Sequence, residues 1–289
     1  MGHSQGGGLP GVGRQRLHQR RRAAGGWRHH AVSRPSQMRL HAFSTGTITL
    51  PFGSFLPGSK GKITVPVPCY LIDHPKGRAM VDTGIHPEIA GGSVARLGEV
   101  ARYFTINITP SEVVDAQIAR IGFGPADVDL IINTHLHYDH CGGNICLPDA
   151  RVIVQRREWQ AANDPLEIAA NNYNPDDYAH CSDHLHLVEG EHDVFGDGSV
   201  VCLPTYGHTP GHQSVRIAMA GRRILLCGDA CYLRENLERL TPSMVCRDKD
   251  AARAALRRLM DYREQGIELI YGHDPVQWEA LRAAPDMFV

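Results

Sequence analysis

The stretch Thr134-His135-Leu136-His137-Tyr138-Asp139-His140 contains three histidines and one aspartate within six consecutive positions. The run before it, residues 128–133, is short, apolar and β-branched and predicts a buried strand, and Gly142-Gly143 ends the pattern. Imidazole and carboxylate groups gathered this densely at a strand end would repel one another or lose hydration without gain unless a cation held them. The stretch therefore predicts a metal site.

The spacing within this stretch predicts two metal ions. On an extended backbone, side chains two positions apart share a face, so His135 and His137 point the same way. The turn that follows can direct Asp139 and His140 toward a second point nearby. We expect Cys141 to stay unliganded, because nitrogen and oxygen ligands suffice without it.

Three later segments repeat the design of an apolar strand that ends in a potential ligand. Residues 200–204 lead to His208, residues 223–226 to Asp229 and residues 267–270 to His273. The first of these loops also holds His212, to which we assign a supporting or structural role because His208 comes directly off the strand. Seven groups then suffice for two metals, with water at the remaining positions: His135, His137, Asp139, His140, His208, Asp229 and His273.

The sequence before residue 128 predicts that the domain begins with several β-strands. Residues 41–50, 63–73 and 78–81 read as strands separated by turns that contain Pro or Gly. The third strand ends in Asp82, which either orients a metal-binding histidine or caps a turn. Thr109-Pro110-Ser111-Glu112 has the pattern of a capped helix start and predicts one helix that ends near residue 122.

The composition excludes several classes of protein. The chain of 289 residues is 42% hydrophobic and 21% charged, and it has no apolar run of the roughly 18 residues that a membrane span needs. Residues 1–40 carry eight arginines and no acid, so the remainder is acidic, which argues against nucleic acid as a partner. Eight cysteines without a CxxC pair predict reduced thiols and a cytoplasmic location.

The domain organisation predicted from the sequence is one domain and a tail. Residues 1–40 are rich in Gly and Arg and predict a disordered arm, or a segment that is not translated if synthesis begins at Met38. Residues 41–289 then form one catalytic domain. Within it, residues 163–180 are rich in Asn, Asp and Pro and predict a mobile flap outside the core.

In the order of its motifs the chain resembles the metallo-β-lactamase superfamily, whose signature is HxHxDH followed by single His, Asp and His ligands. The resemblance spans about residues 41–285 and implies a four-layer α/β/β/α sandwich, an α/β fold with the metals at one edge of its two sheets. It also implies how the ligands divide. One metal takes His135, His137 and His208, the other takes Asp139, His140 and His273, and Asp229 bridges the two.

Shorter motifs resemble the N-acyl-homoserine lactonases of that superfamily. They are Val67-Pro68-Cys69-Tyr70-Leu71-Ile72, Val81-Asp82-Thr83-Gly84, Ile153-Val154-Gln155-Arg156, Thr209-Pro210-Gly211-His212-Gln213-Ser214 and Asp229-Ala230-Cys231-Tyr232. In that family a tyrosine three residues after the bridging aspartate hydrogen-bonds the lactone, and Tyr232 has this spacing. The resemblance implies a small-molecule lactone substrate, attack by a metal-bridging hydroxide, Tyr232 as a donor to the developing oxyanion, and Asp139 as the proton donor to the leaving oxygen.

Two alternative functions share this metal motif. A thioester hydrolase of the glyoxalase II type usually adds a helical C-terminal segment, whereas here one amphipathic helix, residues 248–265, precedes His273. A mononuclear-iron oxygenase on the same fold would use the same ligands. We expect zinc, with iron, cobalt or manganese as alternatives, and the sequence leaves a monomer and a homodimer equally open.

Overall fold

The computed structural model describes residues 1–2, 37–92 and 94–283. The chain divides into two units after residue 31, and all strands and helices given below lie in the second unit, residues 32–289. The predicted arm, residues 1–40, lies mostly outside the described residues. The first strand begins at Arg39, two residues before the predicted start of the catalytic domain.

Two sheets form the scaffold in the described part of the second unit. The strands of the first are β1 (Arg39–Pro51), β2 (Lys62–His74), β3 (Gly77–Val81), β4 (Thr105–Asn107), β5 (Leu130–Ile132), β6 (Arg151–Gln155) and β7 (Leu185–Val188). The strands of the second are β8 (His192–Asp193), β9 (Val200–Pro204), β10 (Gln213–Met219), β11 (Arg222–Leu226) and β12 (Glu268–Ile270). Their orders are β4-β1-β2-β3-β5-β6-β7 and β12-β11-β10-β9-β8. Both sheets are mixed. In the first sheet β3 pairs with β5, β5 with β6 and β6 with β7 in parallel, and in the second sheet β11 pairs with β12 in parallel.

The α-helices lie between these strands and, in the case of the last one, after β12. They are α1 (Phe52–Phe55), α2 (Pro87–Ala90), α3 (Val114–Ala119), α4 (Tyr138–Cys141), α5 (Arg156–Ala161), α6 (Pro165–Asn171), α7 (Arg234–Glu238), α8 (Lys249–Glu264) and α9 (Pro275–Ala283). Over the described ranges, none of them has the length and apolar character that crossing a membrane would require.

Side-chain alternation along the strands produces the layers. Ile132 and Leu226 point inward and join the core between the two sheets. Their neighbours Ile131 and Leu225 point outward and pack against α3 and α8 respectively. Because both faces of the central strands are buried, these strands are apolar throughout, as the sequence shows. The result is the predicted four-layer α/β/β/α arrangement.

Helix α8 covers the outer face of the second sheet. The Asp248 carboxylate caps it by accepting hydrogen bonds from the backbone N–H groups of Asp250 and Ala251, both at 3.0 Å. On its inner face Leu256 and Leu259 are fully buried. Burial of each leucine contributes about 1.5–3 kcal/mol before the entropy of ordering the chain is counted.

Two predicted features of the chain between the strands are wrong. The capping box at Thr109 and Glu112 is present, but it begins only a 3-10 turn, and Val113 then takes an extended conformation with ψ 148° before α3 starts. This break buries the β-branched side chain of Val113. Residues 163–180 are not outside the core either, since Tyr173 and Tyr178 are buried in an apolar cluster with Leu136 and Val154.

Gly207 lets the loop after β9 approach the start of α8. Its φ is +130°, and a Cβ there would overlap the backbone nitrogen of Ala252. We expect Gly207→Ala to lower the free energy of unfolding by about 2–4 kcal/mol, from overpacking and backbone strain together. Gly190, with φ +72° and open space around it, is the matched control, and Gly190→Ala should cost only about 1 kcal/mol. Equal losses in denaturant unfolding of the metal-stripped proteins would contradict the role of close packing.

Candidate metal centre

The predicted ligands lie just beyond the carboxyl ends of four strands. β5 leads to the stretch that contains His135, β9 to His208, β11 to Asp229 and β12 to His273. β9 and β11 are both antiparallel to β10, and β12 is parallel to β11, so these three strands run in one direction. Their ends therefore meet at one edge of the second sheet, facing the end of β5 in the first.

The first cluster consists of three histidine nitrogens. His135 Nε2 lies 3.0 Å from His137 Nδ1 and 3.1 Å from His208 Nε2, and the last two atoms are 3.0 Å apart. Three nitrogens that bind one zinc ion at 2.0–2.1 Å in tetrahedral geometry lie about 3.3–3.4 Å from one another. The cluster therefore has the composition and nearly the spacing of a metal site.

The second cluster combines a carboxylate with two imidazoles. Asp139 Oδ2 lies 3.7 Å from His140 Nε2 and 3.9 Å from His273 Nε2. Both nitrogens are buried, and neither has a hydrogen-bond partner among the described residues. A buried polar atom without a partner is costly, and a cation bound between these groups would satisfy both nitrogens.

Asp229 connects the two clusters. Its Oδ2 faces His208 Nε2 at 3.4 Å, and its Oδ1 faces His140 Nε2 at 3.3 Å and His273 Nε2 at 3.1 Å. Oδ1 is itself buried with no hydrogen-bond partner in the described part of the chain. The fold thus brings together all seven residues that the sequence predicts as ligands, and in this pairing Asp229 is shared.

The hydrogen bonds of His137 and His273 leave the ring nitrogen that faces the cluster without a proton. His137 Nε2 donates to the Asn171 carbonyl at 2.7 Å, and His273 Nδ1 donates to the Pro66 carbonyl at 2.7 Å. Because a carbonyl can only accept, the other nitrogen of each ring carries no proton in the neutral form and faces its cluster. Partners of this kind fix the orientation of metal-binding histidines.

Asp82 performs the first of the two roles that the sequence leaves open for it. Its Oδ1 accepts from the Thr134 N–H at 2.7 Å, and its Oδ2 accepts from His140 Nδ1 at 2.8 Å. Asp82 has φ 54°, a strained backbone conformation for a residue with a side chain. The surrounding contacts hold it in a position that orients His140.

His212 orients Asp229 and does not join either cluster. Its ring is fully buried, its Nε2 accepts from the Asp229 N–H at 3.0 Å, and its Nδ1 lies 2.9 Å from Thr205 Oγ1. This is the supporting role predicted for it. Cys141 is buried and belongs to none of the candidate ligand groups among the described residues.

Glu158 supports the site but is not among the residues predicted from the sequence. This residue of α5 is fully buried, yet its carboxylate accepts four hydrogen bonds, two of them from residues that adjoin His135 and His208. The available signal was an acid on the side of a short helix that must face the sheet. Asn171 was also missed, because its contribution is a backbone carbonyl from a segment predicted to lie outside the core.

The two clusters differ in charge in the metal-free protein. Burial and the neighbouring His140, His137 and His208 rings hold the pKa of His135 well below its ordinary value. Burial also acts to lower the pKa of His140, but the carboxylates of Asp229, Asp139 and Asp82 outweigh it and raise that pKa well above its ordinary value. The first cluster therefore presents neutral imidazole, the form that binds metal, whereas a cation at the second must displace protons.

Comparison with known proteins identifies the family. The model of the metallo-beta-lactamase superfamily matches residues 63–273. This chain belongs to the metallo-beta-lactamase superfamily. Among curated superfamily members it is 29% identical over 262 residues to the N-acyl homoserine lactonase AttM of Azorhizobium caulinodans, a match that covers 88% of this chain and 99% of AttM. It is 32% identical over 230 residues to the N-acyl homoserine lactonase AiiA of Bacillus thuringiensis subsp. kurstaki, covering 78% and 87% of the two chains.

A solved structure of the superfamily agrees with these relatives. An N-acyl homoserine lactone hydrolase, with the product N-hexanoyl-L-homoserine bound at its catalytic metal centre, superposes with a TM-score of 0.74 at 28% identity. The match covers 85% of this chain and 97% of the hydrolase. The comparisons confirm the predicted family and fold, and they confirm the enzyme class, a metal-dependent hydrolase related to lactonases.

The contacts of Asp82 lead to a prediction about metal affinity. We expect Asp82→Asn to weaken metal binding at the second cluster about 10- to 100-fold, because the amide is a poorer acceptor for the His140 ring. Chelator competition on the purified protein measures this affinity. Asp129→Asn, at the opposite end of β5, is the control and should leave it unchanged. Equal affinities in the Asp82 variant and the wild type would show that Asp82 does not support the ligand.

Proposed function

We propose that this protein opens the lactone ring of N-acyl homoserine lactones and thereby destroys quorum-sensing signals. A centre with two metal ions is supported by the position of Asp229, because its two carboxylate oxygens each face a different cluster. The substrate class is supported by AttM, by AiiA and by the hydrolase with bound N-hexanoyl-L-homoserine.

In this proposal the ligands divide as the geometry groups them. The first ion is held by His135, His137 and His208, the second by Asp139, His140 and His273, and Asp229 is shared. We infer zinc, because imidazole and carboxylate donors with open positions suit it, while iron, cobalt and manganese accept the same donors. When bound, such ions supply a water-derived nucleophile at neutral pH and polarise the ester carbonyl.

Tyr232 is the proposed donor to the oxyanion. Its side chain is buried, and its hydroxyl lies 3.2 Å from His208 Nδ1. If His208 Nε2 binds metal, Nδ1 carries the proton and donates it to the tyrosine oxygen, so the phenolic hydrogen points away from His208 and can pass from the Asp229 carboxylate to the substrate. Burial and the Asp229 carboxylate raise the pKa of Tyr232 well above its ordinary value, so the phenol keeps that hydrogen at neutral pH.

Phe55 and His273 hold the Tyr232 ring in place. The Phe55 ring centroid lies 4.1 Å from that of Tyr232, and the His273 ring stacks on it at 5.6 Å. A donor fixed before the substrate arrives requires no reorganisation in the transition state. Asp139, which belongs to the second cluster, is the proposed group that passes a proton to the leaving ring oxygen.

The cysteines support a cytoplasmic location for this reaction. All eight are free thiols, and seven of them are buried. Free thiols in this number are typical of proteins from a reducing compartment.

Ring opening of a lactone releases a carboxylic acid, so proton release measures the reaction directly. Purified protein of known metal content should acidify a weakly buffered solution of short- and long-chain N-acyl homoserine lactones, and His135→Ala should abolish this activity. A glutathione thioester assayed in parallel separates the glyoxalase II alternative. Turnover of the thioester with none of the lactones would reject the proposed substrate class.

We expect Tyr232→Phe to lower kcat about tenfold or more, since the variant lacks one donor to the oxyanion. The metal content should stay at the wild-type value, because Tyr232 is not a proposed ligand. Tyr262→Phe, on the outer helix α8, is the matched control and should have wild-type kinetics. Unchanged kcat in Tyr232→Phe would remove this hydroxyl from the mechanism.

A further inference from the structure

We propose that Glu158 is a positioning residue that holds all three candidate ligands of the first cluster, His135, His137 and His208, and none of the second. The inference rests on the two-metal centre of the proposed function and is independent of its substrate. Glu158 lies on α5, which follows β6, and is not itself a candidate ligand.

The Glu158 carboxylate accepts hydrogen bonds from both segments that carry the first cluster, the one after β5 and the one after β9. Its Oε1 accepts from the Leu136 N–H at 3.0 Å, and Leu136 stands between His135 and His137. Its Oε2 accepts from Thr209 Oγ1 at 2.7 Å, and Thr209 directly follows His208. A shift of either loop would therefore break a hydrogen bond to a fully buried carboxylate, where water cannot replace it.

Two further contacts reinforce this connection. Oε2 also accepts from the Gly211 N–H at 2.9 Å, and a Cβ at Gly211 would overlap the backbone of Glu158, so the loop after β9 lies directly against α5. Oε1 accepts from the Tyr173 hydroxyl at 2.8 Å. Tyr173 packs its ring on His137 at 5.4 Å and stands two residues after Asn171, whose carbonyl accepts from that histidine.

The chemistry of the site requires a carboxylate. Two backbone N–H groups and two hydroxyls converge on two oxygens, and an ionised carboxyl group is the side chain that only accepts. A glutamine would turn its NH₂ group toward either Leu136 N–H or Gly211 N–H. A hydroxyl can rotate away from such a clash, but a backbone N–H cannot, and it would be left buried without an acceptor.

The second cluster has different supports. His140 is oriented by Asp82, and His273 is oriented by the Pro66 carbonyl. The four hydrogen bonds of Glu158 go to Leu136, Tyr173, Thr209 and Gly211, none of which adjoins Asp139, His140 or His273 in the chain. Loss of Glu158 should therefore affect one metal selectively, which a general loss of stability would not do.

The test measures metal affinity at each site separately. In a His273→Ala background the high-affinity ion is held by the first cluster, and in a His208→Ala background it is held by the second. Competition between a chromophoric chelator and metal-stripped protein for Zn²⁺ gives both affinities. We expect Glu158→Gln to weaken binding about 10- to 100-fold in the first background and to leave it unchanged in the second.

Asp177→Asn is the matched control. Asp177 is also a buried acid, but its carboxylate accepts a hydrogen bond from Arg96 Nε at 2.9 Å. It should leave both affinities unchanged. Equal losses in the two backgrounds, losses in Asp177→Asn of the same size, or no loss with Glu158→Gln in the His273→Ala background would overturn the inference.

A second pair of variants decides the question if Glu158→Gln does not fold. Thr209→Val removes one donor to Glu158 and should weaken the first site alone, whereas Thr209→Ser keeps the hydroxyl and should not. Equal affinities in these two variants would contradict the inference. Wild-type protein that binds two ions without lactone turnover would reject the proposed function and leave the role of Glu158 intact.

Discussion

The site depends on one buried carboxylate shared between two sets of histidines. Four imidazole nitrogens lie within 3.9 Å of the Asp229 oxygens, and Asp229 is only 3% exposed. Burial alone would raise its pKa, but His140, His273 and His208 together hold that pKa well below its ordinary value. An ionised group in this position would be prohibitively costly in an apolar interior, so the surrounding rings must be fixed closely enough to stabilise it.

The rings are fixed because the backbone segments that carry the candidate ligands pack directly against one another. A Cβ at Gly143 would overlap the Thr83 carbonyl, and one at Gly272 would lie 2.5 Å from the Gly228 carbonyl oxygen. The loops that carry the ligands are therefore held by contacts that leave no room for a side chain. Such packing supplies the sub-ångström precision that a metal site requires, and the strained backbone of Asp82 is tolerated within it.

The sequence indicated the seven residues that the fold brings together, because they follow the ends of strands, and strands and their ends are local signals. It indicated the layers only through the resemblance to the metallo-β-lactamase superfamily, because β5 and β11 are buried on both faces and their sequences show no polar–apolar alternation. It did not predict the supports, which join residues far apart in the chain: His137 and Asn171 are separated by 34 positions, and Glu158 and Thr209 by 51. An acid on the sheet-facing side of a short helix is a weak local signal, and no pattern marks a backbone carbonyl.

The two clusters offer different ligand groups to a metal ion, and this difference accounts for the different side chains beside them. Three neutral imidazoles leave more of a bound ion's positive charge uncompensated than two imidazoles with the Asp139 carboxylate do. The first cluster would therefore suit an oxygen that becomes negative, and the Tyr232 hydroxyl lies beside a member of that cluster, 3.2 Å from His208 Nδ1. The second cluster already contains a carboxylate, which suits an oxygen that must leave and take up a proton. In the proposed reaction the two tasks of ester hydrolysis would therefore fall to different residues, the developing oxyanion to Tyr232 and the leaving oxygen to Asp139.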